Sequence, residues 1–207
     1  MKLEDILIYS QSYQFRVYKT EGTGFESDFR DYVRRYGATN RKELKNFMDE
    51  QVLIYNQPGF IEEDPVSIPH LFEKKEDIEI AGFLAATIAW GRRPMILKNA
   101  NRMMKLMGDS PFDFTMSANE EQLERLSDFV HRTFNGTDFK QFVLSLRNIY
   151  EKHQGLEQVF TQHQGKSDLQ ETISTFKEIF FEIPHEERTL KHVSDPKKNS
   201  AAKRINM

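Results

Sequence analysis

Few residues in this chain are of a type and spacing that could do chemistry. Gly165-Lys166-Ser167 has the tail of a phosphate-binding loop, but Phe160 occupies the position where the first glycine would stand, and a helix rather than a strand precedes it. Ser167 is therefore expected to cap a helix. Glu182 and His185 have the Glu-x-x-His spacing of carboxylate-bridged metal bundles, with Pro184 between them, so they are not expected to share a helical face. The six histidines, at 70, 131, 153, 163, 185 and 192, do not cluster, and no metal site is expected. The acidic groups Glu62-Glu63-Asp64, Asp109 with Asp113, and Glu120-Glu121-Glu124 are expected to be solvated surface or partners of helix dipoles.

The densest polar run is His131-Arg132-Thr133-Phe134-Asn135-Gly136-Thr137-Asp138. It reads as a structured turn between two helices, with Thr137 or Asp138 capping the second. His131, Arg132 and Asn135 are the residues that would face a cleft. Two basic patches complete the set. Arg92 and Arg93 precede Lys98, Arg102 and Lys105 at helical spacing. Lys191, Lys197, Lys198, Lys203 and Arg204 stand against a single Asp195. Such cations, close to free backbone amides, are suited to phosphate. The candidate nucleic-acid contacts are Arg92, Arg93, Lys197, Lys198, Lys203 and Arg204.

The elements that position these residues are helical. With 207 residues, 38% hydrophobic and 29% charged, the chain can bury a core without staples. Seventeen phenylalanines point to an aromatic interior. The absence of cysteine excludes disulfides, thiolate metal sites and cysteine nucleophiles, and fits a reducing cytoplasmic setting. The longest apolar stretch, Ile78 to Trp90, is far below the roughly 20 residues of a membrane span, so no membrane partner is expected. A net charge of −3 means that any nucleic-acid contact must rest on local patches. No cofactor motif is complete.

Residues 1–40 read as an arm with a weak strand at Tyr13–Val17 and one amphipathic helix, and residues 41–207 as a helical domain. An Asn40/Glu43 capping box opens a helix bearing Leu44, Phe47, Met48, Val52 and Tyr55. The prolines at 58, 65 and 69 predict a loop from Asn56 to Phe72. Ile78 to Trp90 is apolar nearly all round and predicts a central buried helix that Gly91 ends. Pro94 opens the next helix and Gly108 closes it. Asn119 with Gln122 caps a helix carrying Leu123, Leu126, Phe129 and Val130. Phe139 to Tyr150, and Ile173 to Phe180 behind a Ser167/Gln170 box, form two more. Ser200 to Met207 reads as the opening of a further helix. The fold class is all-α, a multi-helix globular array behind a short N-terminal extension.

The runs Tyr55-Asn56-Gln57-Pro58, Asp64-Pro65-Val66-Ser67-Ile68-Pro69-His70, Asp77 to Phe83, Ala89-Trp90-Gly91, His131 to Asp138 and Ser194-Asp195-Pro196 resemble an uncharacterised bacterial family, domain-of-unknown-function family 2400, common in Bacteroidetes-type organisms. That family is distantly similar to the helix-hairpin-helix DNA glycosylases. The resemblance implies an array like the helical part of those enzymes, with Ile78 to Trp90 as its opening hydrophobic helix, and a DNA partner. Relatives are expected to continue past Met207 into a segment similar to the glycosylases' catalytic aspartate region. Neither that run nor a Leu-Pro-Gly-x-Gly hairpin is present, so glycosylase-like hydrolysis is not expected of the chain as given. A helical protein-interaction domain without enzymatic activity is the alternative.

Overall fold

The computed structural model describes residues 41–161 and 169–205. The arm expected over residues 1–40, the Asn40 cap and the Ser167 cap lie outside them. The chain forms two compact units, divided between Glu63 and Asp64.

The first unit contains α1 (Arg41–Tyr55) and the short α2 (Pro58–Glu62). The second begins with two 3-10 turns, Pro65–Ser67 and Pro69–Leu71. The segment expected to be a loop is thus mostly helical turns. Each of the three prolines sits at the start of a turn, where its missing N–H has no intrahelical partner to lose. Asp64 accepts from the Val66 amide at 3.0 Å and caps the first 3-10 turn.

The rest of the second unit is α3 (Lys75–Thr87), α4 (Arg93–Leu106), α5 (Pro111–Ser117), α6 (Glu120–Glu124), the two-residue strands β1 (Val130–His131) and β2 (Phe134–Asn135), α7 (Gly136–Lys152), α8 (Leu156–Thr161) and α9 (Leu169–Phe180). Two 3-10 segments, Glu187–His192 and Pro196–Lys198, follow. The expected all-α class holds, apart from one antiparallel hairpin that pairs Val130 with Asn135 and His131 with Phe134.

α3 is the central helix. It packs against α4, α5 and the Pro69–Leu71 turn, and Ile80, Ala81, Leu84 and Ala85 are buried on it. Its Phe83 ring meets Phe142 of α7 at 5.7 Å and Phe176 and Phe180 of α9 at 5.5 and 5.4 Å. These aromatic contacts join three helices that are far apart in sequence. Phe129, Phe134 and Phe139 extend the core towards the hairpin.

Three expected elements differ. The Asn119/Gln122 box forms as read, with both reciprocal bonds at 2.9 Å, but α6 runs only to Glu124. Phe129 is buried while Val130 is exposed, because the chain has turned into the hairpin by then. The cap of α7 is Asn135, earlier than expected; Asp138 is the reciprocal partner in its capping box. Gly136 is therefore the first helical residue. The residues from Ala201 to Ile205 form turns rather than a helix, with Ala202 at φ 45°.

Candidate functional site

The polar run from His131 to Asp138 divides into two sites, one on each side of the hairpin. The first is organised by Trp90. α3 ends at Thr87, and Ile88 to Gly91 carry the chain round to α4. Gly91 has φ +117°, and a Cβ there would lie 2.6 Å from Arg132 Nε. Only glycine combines that backbone with so close an approach. Arg132 is itself left-handed at φ 56° in the two-residue hairpin loop, and its Cζ stands 4.9 Å from the centre of the Trp90 ring.

His131, 3% exposed, holds the other side of this corner. Asn99 Nδ2 lies 2.8 Å from His131 Nδ1, and His131 Nε2 lies 3.2 Å from the Trp90 carbonyl oxygen. With the amide nitrogen facing Nδ1, the ring accepts there and donates from Nε2 to Trp90, which is the neutral imidazole. Burial favours that state and lowers its pKa from the ordinary histidine value; the bond to Trp90 opposes the shift.

Arg204 arrives at the same corner from the far end of the chain. Its Cζ is 5.7 Å from the Trp90 ring, and its Nη1 donates to the Thr87 carbonyl at 3.1 Å. Burial lowers its pKa. Among the described residues no carboxylate lies within ion-pair distance of Arg92, Arg132, Lys198, Lys203 or Arg204. The indole Nε1 of Trp90 is buried with no hydrogen-bond partner among those residues. A half-buried cation and a buried donor without counterparts are both costly unless something supplies them.

Of the candidate phosphate contacts, Arg92 and Arg93 follow Trp90 in the chain, Lys203 precedes Arg204, and Lys197 and Lys198 lie on the turn that packs on α9. Arg92 precedes α4 and is exposed; Arg93 is its first residue and is partly covered. Lys197, Lys198 and Lys203 are exposed. Asp195 fixes the Pro196–Lys198 turn by accepting from Lys197 N at 3.0 Å and from Ser174 Oγ of α9 at 2.9 Å. Lys197 Nζ meets Glu178 at 3.4 Å, an exposed pair of little worth. Arg204 is the exception in the set, since its side chain turns inward.

The second site is centred on Asp138, which is fully buried. Its Oδ2 accepts from the Asn135 amide at 3.0 Å and lies 3.2 Å from Arg188 Nη2; its Oδ1 accepts from Thr189 Oγ1 at 3.3 Å. Arg188 also donates to Asn135 Oδ1 at 2.6 Å. His192 Nε2 stands 3.3 Å from Asp138 Oδ2 but makes no aligned hydrogen bond, and its ring packs edge-on against Phe134 at 5.0 Å. Burial lowers the His192 pKa, opposed by the Asp138 charge. The carboxylate is sealed from solvent, so it holds the 187–192 segment onto the start of α7 rather than meeting a substrate.

The candidate cleft residues therefore do not converge. His131 and Arg132 belong to the Trp90 corner and Asn135 to the Asp138 site. Glu182 and His185 do not form a pair: Glu182 accepts from Asn148 at 2.5 Å and from His153 at 2.7 Å, while His185 Nδ1 faces the Ile183 carbonyl. The acidic groups are in caps and surface pairs, such as Glu121 with Arg125 at 2.7 Å and Asp113 with Lys74 at 3.2 Å. Among the described residues no group of three or more histidine or carboxylate side chains could hold a metal, and no helix is long and apolar enough to cross a membrane. Sequence reading misses Arg188, Thr189 and His192, whose partners lie about fifty residues away. The Asn135-x-x-Asp138 spacing is the one local signal for that site.

Fold and site together define a helical domain with an arginine-and-tryptophan corner beside a buried carboxylate pin. The chain belongs to the family described as "protein of unknown function (DUF2400)", whose profile matches residues 64–207. The match coincides with the second compact unit. No curated protein and no solved structure matches the chain.

Proposed function

We propose that this domain binds nucleic acid through the face around Trp90, with Arg92, Arg93, Lys197, Lys198 and Lys203 on the phosphates. One observation carries the reading: Arg204 lies on Trp90, two residues before Arg92. This contact joins the end of the C-terminal basic stretch to the residue that precedes the Arg92-Arg93 pair, although about a hundred residues separate them in the chain. Arg204 acts here as the residue that joins the patches, and Arg132 adds a further positive charge on the same indole. Basic side chains interleaved with an aromatic suit a polyanion.

The resemblance to DNA glycosylases implied by the sequence runs, on which this part of the proposal rests, favours DNA over RNA as the partner. The reading concerns binding alone and gives no residue a catalytic role.

The test is fluorescence anisotropy with labelled duplex, abasic-site duplex and single-stranded DNA across a salt series. Affinity should fall steeply with salt, and K198E/K203E should weaken binding and flatten the slope by roughly 0.9 for each phosphate that is no longer neutralised. Equal affinity for wild type and the charge-reversed variant would dismiss the reading and favour a helical protein-interaction domain.

A further inference from the structure

A second feature of the same unit lies along the opposite reach of Arg204. A groove of about 430 Å³ runs beside α3. Its floor and walls are apolar: Gly82, Phe83 and Ala86 of α3, Leu156 and Phe160 of α8, and Ile205. The volume lies within the range of small-molecule sites, roughly 300–1,000 Å³. The two ends differ in charge. At one end Glu79 accepts from Tyr150 Oη at 2.6 Å, and Lys75 pairs with Glu157 and lies 3.7 Å from Glu79. The charged groups at that end satisfy one another. At the other end stands the Arg204 guanidinium, with one donor on the Thr87 carbonyl and no carboxylate within ion-pair distance among the described residues.

We propose that this groove binds a small amphipathic molecule that is anionic at one end only, with a carboxylate or phosphate head on Arg204 and an apolar tail along Phe83, Ala86, Leu156 and Phe160. A guanidinium presents five N–H donors in a fork that matches either head group. A half-buried arginine facing an apolar groove meets both requirements of such a ligand: one charge to neutralise and apolar surface to cover. A neutral ligand would leave the cation unmatched. A dianion with charge at both ends would meet Glu79 and Glu157.

The groove shares Arg204 with the Trp90 corner but differs from the proposed phosphate-binding face in its ligand and its readout. Decanoate and decyl phosphate are the probes, with decanol as the uncharged control, each titrated into the full chain by isothermal calorimetry. Both anions should bind, and decanol should bind at least about tenfold more weakly, the factor that one charge-assisted pairing worth ~1.4 kcal/mol supplies. Ala86→Phe, which fills the middle of the groove, should abolish binding of both anions while leaving the melting temperature and the DNA anisotropy unchanged. Arg204→Gln should bring decanoate affinity down to that of decanol. Preference for decyl phosphate over decanoate would identify a phosphate head, and the reverse a carboxylate. Equal binding of decanol and decanoate, undiminished binding by the Ala86→Phe variant, or no heat with either anion would overturn the proposal, and none of these outcomes bears on DNA binding.

Discussion

At the scale of single residues, burial disfavours the protonated form of two histidines. His131 donates to the Trp90 carbonyl, and His192 sits among phenylalanines beside Asp138. Both folded-state pKa values lie below the ordinary 6.5. Below about that pH the unfolded chain takes up protons that the folded chain refuses, so stability is complete above about pH 6.5 and is lost as the pH falls. Urea midpoints followed from about pH 7.5 to 5.5 should decline, at no more than about 1.4 kcal/mol per pH unit for each histidine. The H131Q/H192Q variant should be less stable at neutral pH but show a flatter decline; an unchanged slope would contradict the neutral assignment. Asp138 makes a second residue-scale case. Asp138→Ala removes a capping group and strands Arg188, so it should cost about 3–5 kcal/mol. Asp138→Asn, which can still accept from the Asn135 amide, should cost less. Thermal unfolding of the two variants checks the order.

At the scale of elements, the junction from hairpin to α7 is the most constrained. A Cβ at Gly136 would lie 2.4 Å from Ser127 Cα and carbonyl oxygen and 2.5 Å from the Leu126 carbonyl oxygen, all backbone atoms that cannot rotate away. Gly136→Ala should therefore destabilise by at least about 2 kcal/mol, although alanine is the better helix former. A calorimetric melt unchanged from wild type would show that the junction can shift. The same junction shows what sequence can and cannot convey. The central helix is legible because Ile78 to Ile88 is apolar on nearly every side, and the Asn119 box because both of its partners are local. The hairpin is not, because two-residue strands leave no alternation to read, and Leu123, Leu126 and Phe129 keep helical spacing across a chain that has already turned. The helical turns at Pro58, Pro65 and Pro69 are hidden because proline breaks a helix from inside but opens one from its first position.

At the scale of the whole domain, the two basic patches are each visible in the sequence, but the contact of Arg204 with Trp90 is not. Nothing local to Lys203 or Arg92 signals that Arg204 crosses to Trp90, and the Asp138 pin likewise depends on residues about fifty positions apart. The chain has a single tryptophan, and Arg132 and Arg204 both stand over its ring. Its fluorescence is thus an intrinsic reporter of the proposed face. The most direct measurement is a titration of the protein with unlabelled duplex DNA, following Trp90 emission at low and moderate salt. The account predicts a saturable change in emission, with the affinity that anisotropy gives and reversal on adding salt. DNA binding that leaves Trp90 emission unaltered would place the contact elsewhere, and no binding at low salt would contradict the nucleic-acid reading altogether.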